Sequence, residues 1–330
     1  RKIVIATGSD AKLFPGLEPD GTVILTSREI LEMSDIPKSL LVIGGGAVGV
    51  EFASIFARFG SEVTIVEMLP RLLPFEDHEV SDEICKLLSK KRINVLLQAK
   101  LQDISVREGN ARAKVTLESG KTEEIVAEKA LIAVGRNPVI DGLGLEKLHV
   151  ETSRGFITVN ENMQTSVPDI YAIGDVVPTQ ALAHLASHEG MVAVEHISNG
   201  SAVPIDYDLV PNCTYCTPEV ASVGLTESAA REKGFDVATG KFPFAAVSKA
   251  TILGENEGFV KIVSEKKYGL ILGIHMIGPK VTELVAGASA AIGLEATVAD
   301  ISHLIHPHPT VSEGIMEAAH GLYSGAAIHI

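Results

Sequence analysis

The sequence predicts an α/β fold: a doubly wound parallel sheet of Rossmann type, followed by an α+β region built on an antiparallel sheet. Three observations carry this. The stretch "SLLVIGGGAVGVEFASIFARFGSEVTIVE" (39–67) sets a glycine-rich turn and a helix-periodic segment between two apolar strands. "IVIATGSD", "ALIAVGRNP" and "DIYAIGDV" each run an apolar strand into a glycine at its carboxyl end, where open α/β sheets collect ligands. "GFVKIVSEKKYGLILGIHMIG" (258–278) reads as a β-hairpin.

Taken in chain order, Ile3 to Ala6 form a strand of buried type. A lone strand needs a sheet to join, so further sequence is expected ahead of Arg1. Leu40 to Ile43 are a continuous apolar strand of the kind that parallel sheets bury on both faces. Gly44, Gly46 and Gly49 then give G-x-G-x-x-G. Val48, Phe52, Ile55, Phe56 and Phe59 mark one apolar side of the helix that follows, and Gly60 is its stop. Val63 to Val66 form the next strand, which ends at Glu67.

Each part of this unit has a physical task. Gly44 permits the tight turn, Gly46 lets a pyrophosphate approach the backbone, and Gly49 lets helix and strand pack closely. The helix N-terminus offers N–H groups and a partial positive charge to the pyrophosphate. Glu67 stands where a carboxylate accepts hydrogen bonds from the adenosine ribose hydroxyls. It would repel a 2′-phosphate, so NAD is expected rather than NADP. The competing reading is a glycine-rich packing turn in another α/β unit.

Asp175 follows Gly174 at a strand end, placed either to bind a ligand hydroxyl or to serve as a turn or cap residue. "ALAHLASHEGMVAVEHI" (181–197) reads as a helix with a small-residue stripe at Ala183, Ala186, Gly190 and Ala193, which permits close backbone approach. His184 and His188 are spaced i, i+4, but the H-E-x-x-H order of a metalloprotease is absent. Cys213 and Cys216 form C-x-x-C within alternating, β-rich flanks, so they are read as strand residues, not a redox or zinc pair.

Composition sets outer limits. The 330 residues suggest two or three domains, and 46% hydrophobic content with 30 Gly and 15 Pro is that of a globular protein. A net charge of −14 argues against nucleic acid as a partner. No apolar run reaches the roughly 20 residues of a membrane span, so no membrane partner is expected. The three cysteines give no disulfide framework, which fits a cytoplasmic location.

"HLIHPHPTVSEG" (303–314) brings histidines, prolines and a glutamate together. Three readings compete. "TVSE" is a capping box with Thr310 as N-cap and Glu313 at N3. A histidine here could equally be a base oriented by Glu313. A zinc site is disfavoured, because no cysteine or free acid of ligand spacing is near.

Together these motifs are similar to the dihydrolipoamide dehydrogenase family of flavin-dependent pyridine nucleotide–disulfide oxidoreductases. The resemblance runs through "ATGS" (6–9), "GGGAVGVE" (44–51), "VGRNP" (134–138), "YAIGDV" (171–176), "LAH" (182–184), "YCTPEVASVGLTE" (215–227), "GKFPFAA" (240–246) and "HPHPTVSE" (306–313), which span nearly the whole chain. It implies FAD and NAD as cofactors. Gly44, Gly45, Gly46, Ala47, Val48, Gly49, Val50, Glu51, Glu67, Leu101 and Gly135 would line the NAD site. Thr7, Gly8, Ser9, Asp175, Ala181, Leu182, Ala183 and His184 would contact FAD. The helix N-terminus near Leu182 would face the flavin pyrimidine ring. His308 would be the catalytic base with Glu313 as its partner, serving the flavin site of the other subunit of a homodimer, and His306 would support it.

The implied reaction is oxidation of protein-bound dihydrolipoamide through a disulfide and FAD, with hydride transfer to NAD. The implied partner is the lipoyl domain of a 2-oxo acid dehydrogenase or related multienzyme complex. The family's redox disulfide and flavin fingerprint lie in an N-terminal region that these residues do not include, and "CTYC" aligns instead with an interface strand. The resemblance gives residues 1–27 as a remnant of the FAD domain with a linker, 28–134 as the NAD domain, 135–205 as a central FAD-contacting segment and 206–330 as the interface domain. Two rivals are a glutathione or mercuric reductase and a non-catalytic nucleotide-binding, dimerising fragment. The first would more often use NADP, with a cluster of basic residues near Glu67, or carry C-terminal cysteines; Arg71 stands alone there and no cysteine follows Cys216.

Overall fold

A computed structural model describes residues 1–329. The chain opens with β1 (Ile3–Ile5), β2 (Ser9–Ala11), β3 (Ile24–Leu25), α1 (Ser27–Leu31), β4 (Ser39–Ile43), α2 (Ala47–Arg58), β5 (Glu62–Val66), α3 (His78–Lys90) and β6 (Asn94–Leu96). It continues through β7 (Lys100–Arg107), β8 (Asn110–Thr116), β9 (Thr122–Ala127), β10 (Lys129–Ile132), β11 (Arg136–Pro138), β12 (Thr152–Ser153), β13 (Phe156–Ile157), β14 (Ile170–Ala172) and α4 (Ala183–Asn199). The last part holds β15 (Asn212–Thr214), β16 (Glu219–Gly224), α5 (Glu227–Glu232), β17 (Val237–Pro243), α6 (Ser248–Leu253), β18 (Phe259–Glu265), β19 (Ile271–Gly278), α7 (Val281–Gly293), α8 (Val298–His303) and α9 (Glu313–Ser324).

Two compact units result. One joins residues 1–12 to 135–207, the other joins 13–134 to 208–330. The expected cut after residue 27 therefore falls at 12, because β3 pairs in parallel with β10 and Val23, Ile24 and Leu25 are buried. Residues 28–134 and 206–330, expected as separate domains, largely share one unit. Phe259, Ile277, Val220 and Cys216 lie in the same core cluster as Val50, Phe56 and Leu87.

Within the larger unit, a parallel sheet runs β3-β10-β4-β5-β6. Alternation along β4 explains its layers. Leu40 and Val42 join the cluster that α2 and α3 complete, while Leu41 and Ile43 join a cluster with Ala111, Ala113 and Val115 of β8. The second face is thus covered by the antiparallel meander β7-β8-β9 rather than by helices. The buried stripe of α2 is Gly49, Val50, Ala53 and Phe56, while Ile55 and Phe59 are exposed. The expected apolar side was wrong by about a third of a turn, because the strands contact the small residues. Gly60, at φ 99°, follows the last residues of the helix as expected.

The second sheet of this unit is antiparallel, in order β15-β16-β19-β18-β17, and β18–β19 is the expected hairpin. α7 and α9 pack on it, with Val285 and Ile315 in its core. In the smaller unit β1 pairs in parallel with β14, and β2 with β11 antiparallel. The small-residue stripe of α4 does allow close packing. A Cβ on Gly190 would lie 3.4 Å from Ile173, and one on Gly174 would lie 3.2 Å from Ala186.

Candidate functional site

The glycine turn leaves β4 at Gly44, where φ is 112° and a Cβ would come 2.2 Å from the Ala133 carbonyl oxygen. At Gly49 a Cβ would lie 2.0 Å from the Gly44 carbonyl oxygen. The first and third glycines are therefore fixed by backbone contact. Gly46 differs: it is the N-cap of α2 without a side-chain cap, and a Cβ there would meet nothing within 4 Å. Open space thus lies beside the N-terminus of a 12-residue helix, whose dipole and first N–H groups suit an anionic pyrophosphate. The residues present fit a dinucleotide.

Glu67 is 8% exposed. Its Oε2 accepts the Gly45 N–H at 2.5 Å and its Oε1 accepts the Leu69 N–H at 2.6 Å. The carboxylate that the sequence assigns to a ribose therefore also holds the turn, with lone pairs to spare. The segment after it braces the same turn, since Leu73 N–H donates to the Gly45 carbonyl at 2.8 Å. Ala47 is exposed and Val48 half-buried, but the Val50 side chain is in the core and leaves only its backbone. Glu51 turns to the antiparallel half, where Oε1 accepts the Tyr215 N–H at 2.8 Å and burial raises its carboxyl. Leu101 is partly buried against the meander core.

The smaller unit holds the other expected binding residues. Gly135 has φ 115° and Gly8 has φ 74°, both in the left-handed region that glycine adopts without strain. Thr7 Oγ1 donates to the Val139 carbonyl at 2.5 Å. The Ser9 hydroxyl bonds Asp175 Oδ2, while Arg136 donates to Ser9 Oγ at 2.6 Å and to its carbonyl at 2.5 Å. Asp175 is thus part of a Ser9–Arg136 cluster. Ala181 is exposed and Leu182 half-buried, and they lead into α4, where Ala183 and His184 stand at an N-terminus without a side-chain cap. Uncapped N–H groups there fit the electron-rich edge of a flavin.

Sequence reasoning missed two contributors in this unit. Arg136 lay inside a quoted motif, but nothing marked it as a partner of Ser9. Glu189, fully buried, ties the Asp175 turn at both ends: Oε2 accepts the Gly174 N–H at 2.6 Å, and Oε1 accepts the Thr179 hydroxyl at 2.8 Å. Burial raises its carboxyl. The only available signal was a glutamate on the small-residue side of a helix.

His308 is 64% exposed at its side chain, and its Nδ1 lies 2.9 Å from Oε1 of the largely buried Glu313. Glu313 Oε2 accepts the Thr310 N–H at 2.9 Å. Burial works against the charged form, yet Thr310 N–H and His308 together hold the Glu313 carboxyl below its usual range. The capping box forms by half. The helix begins at Glu313 with Ser312 as N-cap, and the Thr310 hydroxyl donates to Pro307 instead. Capping and dyad formation use different oxygens of one carboxylate. The His308–Pro309 peptide is cis. His306 bonds the Leu304 carbonyl, and His303 packs edge-on to Tyr323 at 5.0 Å.

The three cysteines are free. Cys213 is in β15, but Cys216 lies in the bend before β16, so only one is a strand residue. Burial pushes the Cys216 thiol up to about 12, which removes the thiolate that exchange requires. Among the described residues no three potential ligands gather to hold a metal, and no helix is long and apolar enough to cross a membrane.

Residues 1–190 match the family model described as pyridine nucleotide-disulphide oxidoreductase, and 210–319 match its dimerisation domain. A dihydrolipoyl dehydrogenase of Bacillus subtilis is 47% identical over all of this chain and 69% of its own length. The mitochondrial dihydrolipoyl dehydrogenase of Pisum sativum is 41% identical, over 100% of this chain and 66% of its own. Among solved structures, LpdA of Mycobacterium tuberculosis superposes with a TM-score of 0.88 at 28% identity, covering 97% of this chain and 69% of that one. The flavoprotein disulfide reductase RclA of Escherichia coli, solved as a Cu(II) complex, gives 0.89 at 27% identity, over 96% and 72%.

Proposed function

The chain belongs to the pyridine nucleotide-disulphide oxidoreductase family, and on that premise we propose that it acts as an NAD-dependent dihydrolipoyl dehydrogenase. The observation that carries this reading is the His308–Glu313 pair at the exposed end of a dimerisation domain. With Nδ1 committed to the carboxylate, Nε2 is the nitrogen left to take a proton. The imidazole is exposed, and the acid that orients it is buried and ionised.

The net reaction balances as dihydrolipoamide plus NAD⁺ giving lipoamide, NADH and a proton. His308 Nε2 accepts a thiol proton, and the resulting thiolate attacks a disulfide sulfur, forming a mixed disulfide as the old S–S bond breaks and its other sulfur leaves as thiolate. Glu313 holds the ring in the useful tautomer and supports its protonated form. FAD held by Thr7, Gly8, Ser9, Asp175 and the start of α4 would supply the hydride chemistry toward NAD. None of Cys85, Cys213 and Cys216 suits the redox pair, so this reading needs a disulfide other than these three. In the same reading the glycine turn with Glu67 binds NAD, and Glu51, Leu101 and Gly135 are the further residues assigned to that cofactor. Thr7, Gly8, Ser9, Asp175 and the start of α4 bind FAD. The domain roles follow the two units: 13–134 for NAD, 1–12 and 135–207 for FAD, and the segment from 208 onward for the interface. The partner is a lipoyl domain of a 2-oxo acid dehydrogenase or related complex, and free thiols suit a cytoplasmic setting.

The test is substrate and cofactor choice in the flavin-loaded enzyme. Dihydrolipoamide is expected to reduce NAD, with NADP at least about ten-fold poorer in kcat/KM. Equal use of NADP, or turnover of glutathione in place of lipoamide, would reject the reading.

A further inference from the structure

The segment that braces the glycine turn is anchored at its far end in an unusual place. A Cβ on Gly45 would lie 2.5 Å from Leu72 Cδ2, and Leu73 N–H donates to the Gly45 carbonyl. Three residues after Leu73, Glu76 N–H returns to the Leu73 carbonyl at 3.0 Å, and Asp77 caps α3. Glu76 and Asp77 are 3% and 2% exposed. Their charged ends meet a polar row that crosses all five strands of the antiparallel sheet. Asn212, Ser222, His275, Lys261 and Lys241 are successive register partners on β15, β16, β19, β18 and β17.

We propose that Glu76 is a positioning residue for the nucleotide-binding turn: it anchors segment 72–77 to this row, and the charge on the anchor sets how tightly NAD is held. This rests on the reading above that NAD occupies the glycine turn.

The two acids are treated differently by their surroundings. Lys261 lies 3.0 Å from Asp77, 2.8 Å from Glu79 and 2.8 Å from Glu227. Burial alone would lower the lysine, but Glu227, Glu79 and Asp77 outweigh it and raise it. Asp77 is in turn held low by Lys261 against the effect of burial. Glu76 has no cation. Its Oε1 accepts the Asn212 amide at 2.7 Å, and its Oε2 is buried without a hydrogen-bond partner among the described residues. Burial pushes its carboxyl up to about 7, with Ser222 and Asn212 pulling against burial and Asp77 adding to it.

The neighbours do not share this titration. Burial keeps His275 neutral, and it lifts the nearby Cys213 thiol, with Glu76 adding to the effect. Glu79 and Glu227 are lowered by their lysine contacts, Lys241 being ion-paired with Glu79. Within the row, Glu76 is therefore the group that changes charge near neutrality. Its ionisation puts an unpaired negative charge beside Asp77, loosens the anchor and relaxes the brace on Gly45.

The test is NADH binding to the holoenzyme by fluorescence titration between about pH 6 and about pH 8, for wild type, Glu76→Gln and Glu76→Ala. Wild-type affinity is expected to fall about five-fold or more across that range. Glu76→Gln keeps the Asn212 contact without a charge, so it should bind tightly at both ends. Glu76→Ala should bind weakly throughout, and the loss of pH dependence in Glu76→Gln is what a merely space-filling role would not produce. Parallel pH profiles for wild type and Glu76→Gln would overturn the coupling while leaving NAD at the turn. A wild type that binds no NADH at any pH would remove the reading of the turn, and this inference with it.

Discussion

Gly46 and Gly49 stand three residues apart and make opposite demands. At Gly46 an added methyl meets no protein atom, and φ is −75°, so Gly46→Ala should fold with an unchanged Tm. The methyl would instead occupy the approach to the helix N-terminus and weaken NADH binding by about ten-fold or more. At Gly49 the methyl would lie 2.0 Å from a carbonyl oxygen, so Gly49→Ala should lose about 1–3 kcal/mol of stability, read from denaturant unfolding. A Gly46→Ala variant with normal NADH affinity would remove the pyrophosphate from this turn. The tight packing at Gly49 was legible in the sequence because spacing distinguishes the glycines. The second duty of Glu67, holding Gly45 and Leu69, was not legible, since a sequence shows a carboxylate but not which N–H groups surround it. Arg136 and Glu189 escaped for the same reason.

Elements were easier to find than to orient. The strands, the turn, α2 and the β18–β19 hairpin follow from apolar runs and punctuating glycines. The buried stripe of α2 was misread because large side chains were expected inward, whereas Gly49 and Ala53 bring the helix close to its sheet. The ion cluster at the start of α3 was invisible, as Lys261 stands 34 to 184 positions from its acidic partners in the chain. It yields a sharp expectation. Lys261→Met leaves Asp77 and Glu79 without their buried cation and should cost about 3–5 kcal/mol in unfolding free energy. The same cluster sets an acid limit. Asp77 sits below its unfolded value, so its contribution is present at neutral pH and lost as pH falls through that lowered value. A Lys261→Met variant as stable as wild type would show that the cluster contributes no net stabilisation.

At the scale of the whole molecule, the matched dimerisation domain supports a homodimer. The sequence placed boundaries by motif, but residues 13–134 and 208–330 fold as one unit because their cores merge through Phe259 and Ile277. Long-range packing of this kind leaves no local mark. If His308 serves a site completed by the second subunit, specific activity should fall in step with dissociation when sedimentation and turnover are followed on dilution. His308, oriented by Glu313, is the base we propose for dithiol oxidation. The most direct measurement is dihydrolipoamide-dependent NAD reduction by the flavin-loaded enzyme with His308→Gln. Turnover is expected to fall by about 10²–10⁴-fold while NADH affinity stays at the wild-type level. Near-normal turnover in that variant would rule His308 out as the base.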